Sequence, residues 1–523
     1  MSAAEPISVQ PAAGYGPLAI ATRVAAHLAA AAPFVVATVR SIRRGWLPVG
    51  DTAAISARSW DALTNHGVLV GQRTALSGVT DLGPLEYWLL TLPVHLDPLH
   101  GSLWGAALCC ILAASLAIEA ARSAFGVVGA VAASLLVLGS IAWMPSIALG
   151  PTWNPHFGDL WFLTVLASAS AVFAGRRRWW PVLVLSGAVA AQAHLMFAVT
   201  SVLLVLVALV VEVFRSYRLR AGHGWLAGGI ALGVACWAAP VIQEVTGHPG
   251  NLTELLGRGH GRAEGWLLGF RALGAGATPP PIWWSTGDVG SHTAITTIAS
   301  RSPVGGVIAL GVLVGVALWA WRSHRQELAA LAAVGIVACA GLIVTFARVP
   351  VAGAFPPYLI TVVFPAGALA WAAVVYAAVL AAQNARASKP THRKAGSRRR
   401  LTALGLLPLA VLAALSFRLQ SDEFQRAFDW GLVPIVHKAT LQIEHDVGPG
   451  RVRVVVVGLH GTSTYGVMTG IAAQLVAKGY RPEVTGFEAP ASLGPAYLVR
   501  AGSPTAHVTV RGSAVTTVVL PVR

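Results

Sequence analysis

Long apolar runs separated by short polar segments fill most of the chain up to residue 417. An α-helix rises about 1.5 Å per residue, so roughly 20 apolar residues cross the hydrocarbon core of a bilayer. The pattern predicts a mainly α, polytopic helical membrane protein with about eleven spanning helices. The predicted spans are residues 20–40, 102–121, 125–145, 157–175, 180–196, 198–214, 225–242, 304–321, 328–347, 358–382 and 401–417.

The segment after the last predicted span has a different pattern. Residues 451–458, RVRVVVVG, predict a buried strand, and residues 464–479 predict a helix, with short strands after it. Two domains are therefore predicted. They are a transmembrane domain over residues 1–417, with large outer loops at 42–101 and 243–303, and a small extracytoplasmic α/β domain over residues 418–523.

The composition supports a membrane protein. Hydrophobic residues make up 55% of the chain, charged residues 11%, and the mean hydropathy is +0.66, whereas about 25% of the residues of a soluble domain are charged. The net charge of +16 comes from short clusters between apolar segments, which argues against nucleic acid as a partner. The four cysteines lie in apolar segments and are interpreted as packing residues. Abundant Ala, Gly and Val indicate a GC-rich genome, such as that of an actinobacterium.

The basic clusters predict the topology. They fall in alternate loops, for example at Arg176–Arg178, at residues 215–220 and at residues 386–400. By the positive-inside rule these loops are cytoplasmic, which places the N-terminus inside and the C-terminal domain outside the plasma membrane. Arg43 and Arg44 are an exception, because they directly follow the first span.

Two carboxylates lie in the first outer loop. Asp51 follows the first span in PVGD, and Asp81 precedes the second span in TDLGPLEYW. Such a pair could hold a general base for a hydroxyl group, or a divalent cation (Mg²⁺ or Mn²⁺) that binds a phosphate. Alternatively, outer-loop acids are solvated or cap helices, and Asp81 before Gly83 and Pro84 suits a helix start.

Three further side chains on the predicted outer side are candidates for binding substrate. Glu86 follows Asp81 closely, His156 lies at the outer end of the fourth span, and His194 lies at the outer end of the fifth. The histidines could bind a phosphate or an acceptor, since ionisable groups at membrane depth are often functional. The alternative is packing with one satisfied hydrogen bond.

Basic side chains on the same side could bind a phosphate. Arg258 and Arg262 lie in the loop after the seventh span, and Arg348 lies at the outer end of the ninth. Arginine is suited to two-pronged phosphate contacts. Binding to anionic lipid headgroups is an equal alternative.

The motifs at 50–51 (GD) and 81–88 (DLGPLEYW) resemble those of the GT-C glycosyltransferases. The resemblance is to the branch of protein O-mannosyltransferases and the lipid A aminoarabinose transferase, which use polyprenyl-phosphate sugars. It implies that Asp51 is the catalytic or donor-orienting carboxylate and that Asp81 is its partner near the lipid phosphate. The sequence departs from the family at Leu82 and Gly83, where a basic residue and a proline are common.

The resemblance implies a glycosyltransferase of cell wall biogenesis. It would move a sugar, arabinose or mannose, from a polyprenyl-phosphate donor to a cell-envelope glycan, lipid or protein on the outer face. Two alternatives remain open, a lipid or glycan transporter (flippase) and a non-catalytic envelope assembly protein. A transporter is expected to show repeated halves with charges at mid-membrane, whereas the polar features here gather on one side.

Overall fold

The structure is a computed structural model. It describes residues 17–64, 67–73, 79–144, 146–220, 222–257, 263–284, 293–349, 357–387, 431–448, 453–458, 462–485, 492–494, 497–498, 506–511 and 514–519.

Helices form the whole described part of the chain up to residue 387 apart from short connections. They are α1 (Pro17–Arg43), α2 (Gly50–Asp61), α3 (Leu85–Leu96), α4 (Gly101–Trp143), α5 (Ser146–Leu149), α6 (Asn154–Phe173), α7 (Trp180–Ala193), α8 (Leu195–Leu219), α9 (His223–Thr246), α10 (Asn251–Gly257), α11 (Trp266–Ala277), α12 (Thr293–Ser300), α13 (Pro303–Arg322), α14 (Gln326–Ala347) and α15 (Val363–Ala387), with 3₁₀ turns at Arg177–Trp179, Ile282–Trp284 and Pro357–Val362.

Among the described residues, eight helices are long and apolar enough to cross a membrane: α1, α4, α6, α8, α9, α13, α14 and the segment Ile360–Ala385 around α15. The mainly α, polytopic architecture is therefore confirmed. The spans predicted at 102–121 and 125–145 are the two helical segments of α4, which meet at Gly126, where the backbone is not helical (φ +68°, ψ −156°). The chain reverses there, because a Cβ atom on Gly129 would meet the Ala121 carbonyl, and Glu119 and Ser134 contact the neighbouring α1 residues His27 and Ala26. At about 1.5 Å per residue the segments 101–125 and 127–143 rise about 38 Å and about 26 Å, against a hydrocarbon core of about 30 Å.

One predicted span differs from the structure. The span predicted at 180–196 is α7, which has 14 residues and ends where His194 interrupts the helix before α8. Fourteen residues rise about 21 Å, which is less than the hydrocarbon thickness. The span predicted at 401–417 lies outside the described residues, as does the domain boundary predicted after residue 417.

The membrane helices pack closely through small residues. Helix α4 contacts α1 and α6, α7 contacts α6, α8 and α9, and α11 contacts α13, α14 and α15. At the crossing of α11 with α15, Gly276 and Gly367 are so close that a Cβ atom on Gly367 would meet the backbone of Gly276. Small residues at helix crossings let backbones approach, which is the usual basis of packing between membrane helices.

The C-terminal part contains a four-stranded mixed sheet. Helix α16 (Val433–Val447) precedes strand β1 (Arg453–Gly458), helix α17 (Thr462–Ala477) and strands β2 (Arg481–Thr485), β3 (Ala506–Arg511) and β4 (Ala514–Val519). The strand order is β2-β1-β3-β4, with β1 parallel to β2 and β3, and β3 antiparallel to β4. The strand and the helix predicted at 451–458 and 464–479 are thus present, with ends shifted by about two residues.

The C-terminal part packs on the first loop of the membrane region. Helix α17 contacts α2, and one apolar core joins Val49, Ala54 and Ala57 of the first loop to Met468 and Ile471 of α17. Burial of these side chains from both segments fixes α17 over α2.

Candidate active site

Asp51 lies in the first turn of α2. The helix begins at Gly50, whose φ of +58° favours glycine. The Thr52 hydroxyl accepts a hydrogen bond from the Val49 N–H at 3.1 Å and donates to the Val49 carbonyl at 2.8 Å. A carboxylate in the first turn is favoured by the helix dipole, so the sequence PVGDT both starts the helix and stabilises the Asp51 charge.

Side chains from three distant segments orient the Asp51 carboxylate. The Tyr465 hydroxyl on α17 donates to Asp51 Oδ1 at 2.9 Å, and the Trp153 indole N–H donates to Oδ2 at 3.1 Å. The Gln72 amide lies 3.5 Å from Oδ1. Asp51 is half-buried, and these three uncharged donors orient its carboxylate.

A short hydrogen-bonded chain connects Asp51 to Asp81. Tyr87 of α3 donates its hydroxyl hydrogen to Gln72 Oε1 at 3.0 Å, and the Asp81 N–H donates to the Gln72 carbonyl at 2.8 Å. The Gly71 N–H completes this pairing by donating to the Asp81 carbonyl at 3.1 Å. The two ends of the segment 71–81 therefore pair beside both carboxylates.

Asp81 is buried, with 1% of its surface exposed. Its Oδ1 accepts the backbone N–H of Leu195, the first residue of α8, at 3.1 Å. Its Oδ2 accepts the Asn154 amide at 2.9 Å, and the same amide donates to the Ala193 carbonyl at 3.0 Å. Asp81 thus joins the first residues of α6 and α8, where helix N–H groups lack intrahelical partners.

Adjacent residues of one short segment contact the two carboxylates. Trp153 donates to Asp51 and Asn154 donates to Asp81, so the start of α6 fixes their relative positions. Burial raises the pKa of Asp81 well above its usual range, and the charge of Asp51 acts in the same direction, while the bonds from Leu195 and Asn154 oppose the rise.

Glu86 lies in the first turn of α3 and is buried, with 4% of its surface exposed. Burial and the nearby charge of Asp81 raise its pKa well above the usual range. Within the described part of the chain its Oε1 has no hydrogen-bond partner. The structure therefore favours a neutral Glu86 next to Asp81.

The two candidate histidines make local hydrogen bonds. His156 Nδ1 lies 3.1 Å from the Gly150 carbonyl, His156 Nε2 lies 3.3 Å from the Ser146 hydroxyl, and its ring meets Trp153 edge-on at 4.8 Å. His194 Nδ1 accepts the Met196 N–H at 3.2 Å as the N-cap of α8. His156 supports the Trp153 ring, and His194 precedes the Leu195 N–H that donates to Asp81.

Of the three candidate arginines, the structure describes Arg348. Arg258 and Arg262 lie outside the described residues. Arg348 is exposed after the end of α14. There the N–H groups of Glu264 and Gly265 donate to the carbonyls of Val349 and Ala347 at 3.0 and 3.1 Å, so the loop that follows residues 258–262 runs beside Arg348.

The donor sets do not suit a shared divalent cation. No group of three or more His, Cys, Asp or Glu side chains within the described ranges could hold a metal ion. Both oxygens of Asp51 and both oxygens of Asp81 accept hydrogen bonds from N–H or O–H groups, which compete with a metal for the same lone pairs. We therefore derive no step through a cation.

Packing explains the departure from the family motif at Gly83. A Cβ atom there would collide with the side chain of Gln192 and lie 2.7 Å from Pro240 Cγ. Gln192 is itself fixed by a 2.8 Å hydrogen bond to the Cys236 carbonyl. Any side chain at residue 83 would have to displace helices α7 and α9.

Three residues that bind Asp51 were not among the sequence candidates. Gln72 lies in a polar loop that has no motif, and the Trp153 indole could have been read as an interfacial anchor. Tyr465 is more than 400 residues from Asp51 along the chain. The segment WNPHFGDLW at 153–161 was the available signal, because it places Trp153 and Asn154 before a predicted helix.

The chain is similar in fold to solved membrane-protein structures. The chain is similar to the crystal structure of ArnT from Cupriavidus metallidurans bound to undecaprenyl phosphate, with 16% identity, a TM-score of 0.50, and coverage of 95% of this chain and 93% of that one. The apo structure of the same ArnT gives a TM-score of 0.45 at 16% identity, covering 89% and 88%.

The crystal structure of the apo oligosaccharyltransferase of Archaeoglobus fulgidus gives a TM-score of 0.42 at 12% identity, covering 91% of this chain and 65% of that one. Neither a protein-family model nor a curated protein matches the sequence. The fold is shown by the similarity to ArnT bound to undecaprenyl phosphate. The chain shares the helical membrane fold of that structure.

Proposed function

We propose that the chain is a membrane glycosyltransferase that uses a polyprenyl-phosphate sugar as donor. The acceptor hydroxyl oxygen attacks the anomeric carbon, the bond from that carbon to the phosphate oxygen breaks, and polyprenyl phosphate leaves with the electron pair. Asp51 takes the hydroxyl proton or orients the donor. The acceptor is a glycan, lipid or protein of the cell envelope, and arabinose and mannose are the sugars to be tested first.

The geometry of Asp51 carries this proposal. Its carboxylate is half-buried, it lies at a helix N-terminus, and Tyr465 and Trp153 donate one hydrogen bond to each of its oxygens. A general base needs a charged form, a fixed orientation and access to the reacting proton, and this arrangement offers all three. The bound lipid phosphate in the structure of ArnT, whose fold the chain shares, supports the choice of donor.

Asp81 has a supporting role in this proposal. It is buried, and both of its oxygens bind the starts of α6 and α8, so its carboxylate is not open to the lipid phosphate, whose negative charge it would also repel. We assign Asp81 as a positioning residue that fixes Asn154 and, next to it, Trp153. This assignment differs from the role near the phosphate that the family resemblance implies.

The remaining candidates have separate roles in this proposal. Arg258, Arg262 and Arg348 are the proposed cationic partners of the lipid phosphate. The His156 ring contacts the Trp153 ring, and His194 caps the start of α8. Glu86 is proposed to be protonated and uncharged next to Asp81. We place the site on the outer face of the plasma membrane, with the N-terminus cytoplasmic and residues 418–523 as an extracytoplasmic domain.

The proposal is tested with purified protein in detergent and a panel of polyprenyl-phosphate sugars, including mannose and arabinose donors, with envelope acceptors. The readout is released polyprenyl phosphate. Asp51→Asn is expected to abolish it, while Asp446→Asn, the same change on α16, leaves it intact. A folded protein that binds a donor without turning over any of them would instead support the transporter or the assembly protein.

A further inference from the structure

Tyr465 is a residue of the C-terminal part that reaches the membrane region. It lies in the first turns of α17, and its hydroxyl donates to Asp51 Oδ1 at 2.9 Å. Its side chain is largely enclosed, and burial together with the charge of Asp51 raises the pKa of Tyr465 well above its usual range. The phenol therefore stays protonated and can only donate this bond while Asp51 is charged.

The packing of α17 fixes Tyr465 firmly over Asp51. Val467, Met468 and Ile471 of α17 are buried against the apolar side chains of α2. Gly470 lets the helix approach closely, because a Cβ atom there would lie 2.9 Å from Val436 and 3.3 Å from the Pro48 carbonyl. The hydroxyl position is thus set by a buried interface and does not depend on a flexible loop.

The hydrogen bond has two consequences for a carboxylate base. With Trp153 bound to Oδ2, the Tyr465 bond to Oδ1 fixes the rotation of the carboxylate group. A bond to the anion also favours the charged form over the protonated one. Loss of the hydroxyl would leave Asp51 less well oriented and more easily protonated.

We propose that Tyr465 is a positioning residue of the active centre, through which the C-terminal part orients Asp51 and keeps it charged. The inference rests on the proposed glycosyl transfer. The C-terminal part then completes the catalytic site in addition to any contact with the acceptor. Tyr465 acts through Asp51 and transfers no group itself.

The test compares Tyr465→Phe with Tyr480→Phe in the full-length protein. Tyr480 is the matched control, since its hydroxyl donates to the Gly448 carbonyl at 2.7 Å within the same C-terminal part. Tyr465→Phe is expected to lower kcat about 10- to 100-fold, the range for a hydrogen bond to a charged group, with the donor KM unchanged within about twofold. The acid limb of the pH–rate profile is expected to move up by about one pH unit. Tyr480→Phe leaves both unchanged.

A second measurement does not depend on turnover. Tyr465→Phe and Asp51→Ala are combined in a double-mutant cycle with thermal unfolding as the readout. Tyr465→Phe is expected to lower the melting temperature of the wild type but not that of Asp51→Ala. Additive shifts would overturn the inference. So would a kcat that stays the same, or one that rises because the phenol blocks the acceptor. If the wild type is inactive but the cycle is non-additive, the proposed glycosyl transfer is contradicted, while the coupling between Tyr465 and Asp51 stands.

Discussion

The carboxylates at the two ends of α8 differ in the kind of partner that holds them. At the start of α8, Asp81 accepts the Leu195 N–H, and Asp51 lies close by with neutral donors. Near the other end, Glu212 is fully buried and binds Arg177 at 2.6 Å and Arg215 at 3.3 Å. These positions are 17 residues apart on one helix, roughly 26 Å.

Glu212 is held by charged partners, whereas the hydrogen bonds from Tyr465 and Trp153 to Asp51 come from uncharged side chains. Two guanidinium groups compensate the charge of Glu212, and Arg177 also donates to the Ser216 hydroxyl. Buried charges normally need such pairing, because an unpaired charge is costly in a medium of low polarity. Asp51 is half-buried, and it accepts hydrogen bonds from the uncharged side chains of Tyr465 and Trp153.

The largest effect is expected for Asp51→Asn. The amide keeps the size of the side chain but cannot act as a base, so turnover is expected to fall at least about 1,000-fold. The melting temperature should fall modestly, because the amide oxygen accepts one of the two hydrogen bonds from Tyr465 and Trp153 while the amide NH2 faces the other donor. The measurement is released polyprenyl phosphate alongside a thermal unfolding curve. A large loss of stability with turnover retained would assign Asp51 to structure.

Glu212→Gln is expected to show the opposite pattern. Removing the charge leaves Arg177 and Arg215 without their anionic partner in a buried site, at a cost of roughly 3 kcal/mol in the free energy of unfolding. Turnover per folded molecule should stay the same, since the site lies at the other end of α8. Glu327→Gln on α14 is the matched control. Unchanged unfolding in detergent would show that this ion pair contributes no net stability.

The sequence predicted the membrane architecture because its signals are local. Twenty-residue apolar runs define spans, and the apolar run in RVRVVVVG defined β1 without knowledge of its neighbours. The motifs PVGD and DLGPLEYW likewise singled out Asp51 and Asp81 as candidates, and hydrogen bonds from the adjacent residues Trp153 and Asn154 connect the two carboxylates.

The contacts within that centre could not be predicted, because they depend on tertiary packing. Asp81 shows the same charge pattern as Asp51 in sequence, yet it is buried between two helix starts that no local pattern connects to it. The bond from Tyr465 requires the docking of α17 on α2. The short helix α7 was read as a span because its apolar run continues through His194 into α8.

Asp61 is intermediate between Asp51 and Glu212, because it has a charged neighbour whose effect is smaller than that of burial. It lies at the end of α2 near Arg58, yet burial raises its pKa from 3.8 to about 7, with the Arg58 charge opposing the rise. A carboxyl group with a raised folded pKa favours the folded state when protonated, so its contribution is full below about pH 4 and is lost as the pH rises towards 7.

Asp61→Asn should remove this dependence. The melting temperature of the variant, relative to that of the wild type, is expected to rise between pH 4 and pH 7.5, by an amount equivalent to about 2–3 kcal/mol. Asp446→Asn serves as the control, and its difference from the wild type should be nearly constant over that range. A constant difference for Asp61→Asn would mean that Arg58 fully compensates the charge, as the arginines do for Glu212.

Trp153→Phe is expected to have the smallest effect and tests the neutral donors directly. The phenyl ring can keep an edge-on contact with His156 but loses the N–H that donates to Asp51 Oδ2. Turnover should fall about 10-fold, since one hydrogen bond to a charged acceptor is lost while the bond from Tyr465 remains. Trp143→Phe is the matched control, because it makes the same change at a tryptophan that packs against Phe364. If both variants lose turnover equally, the volume of the indole side chains, and not the Trp153 N–H, orients Asp51. A loss confined to Trp153→Phe shows that neutral donors hold the charge of Asp51 in place.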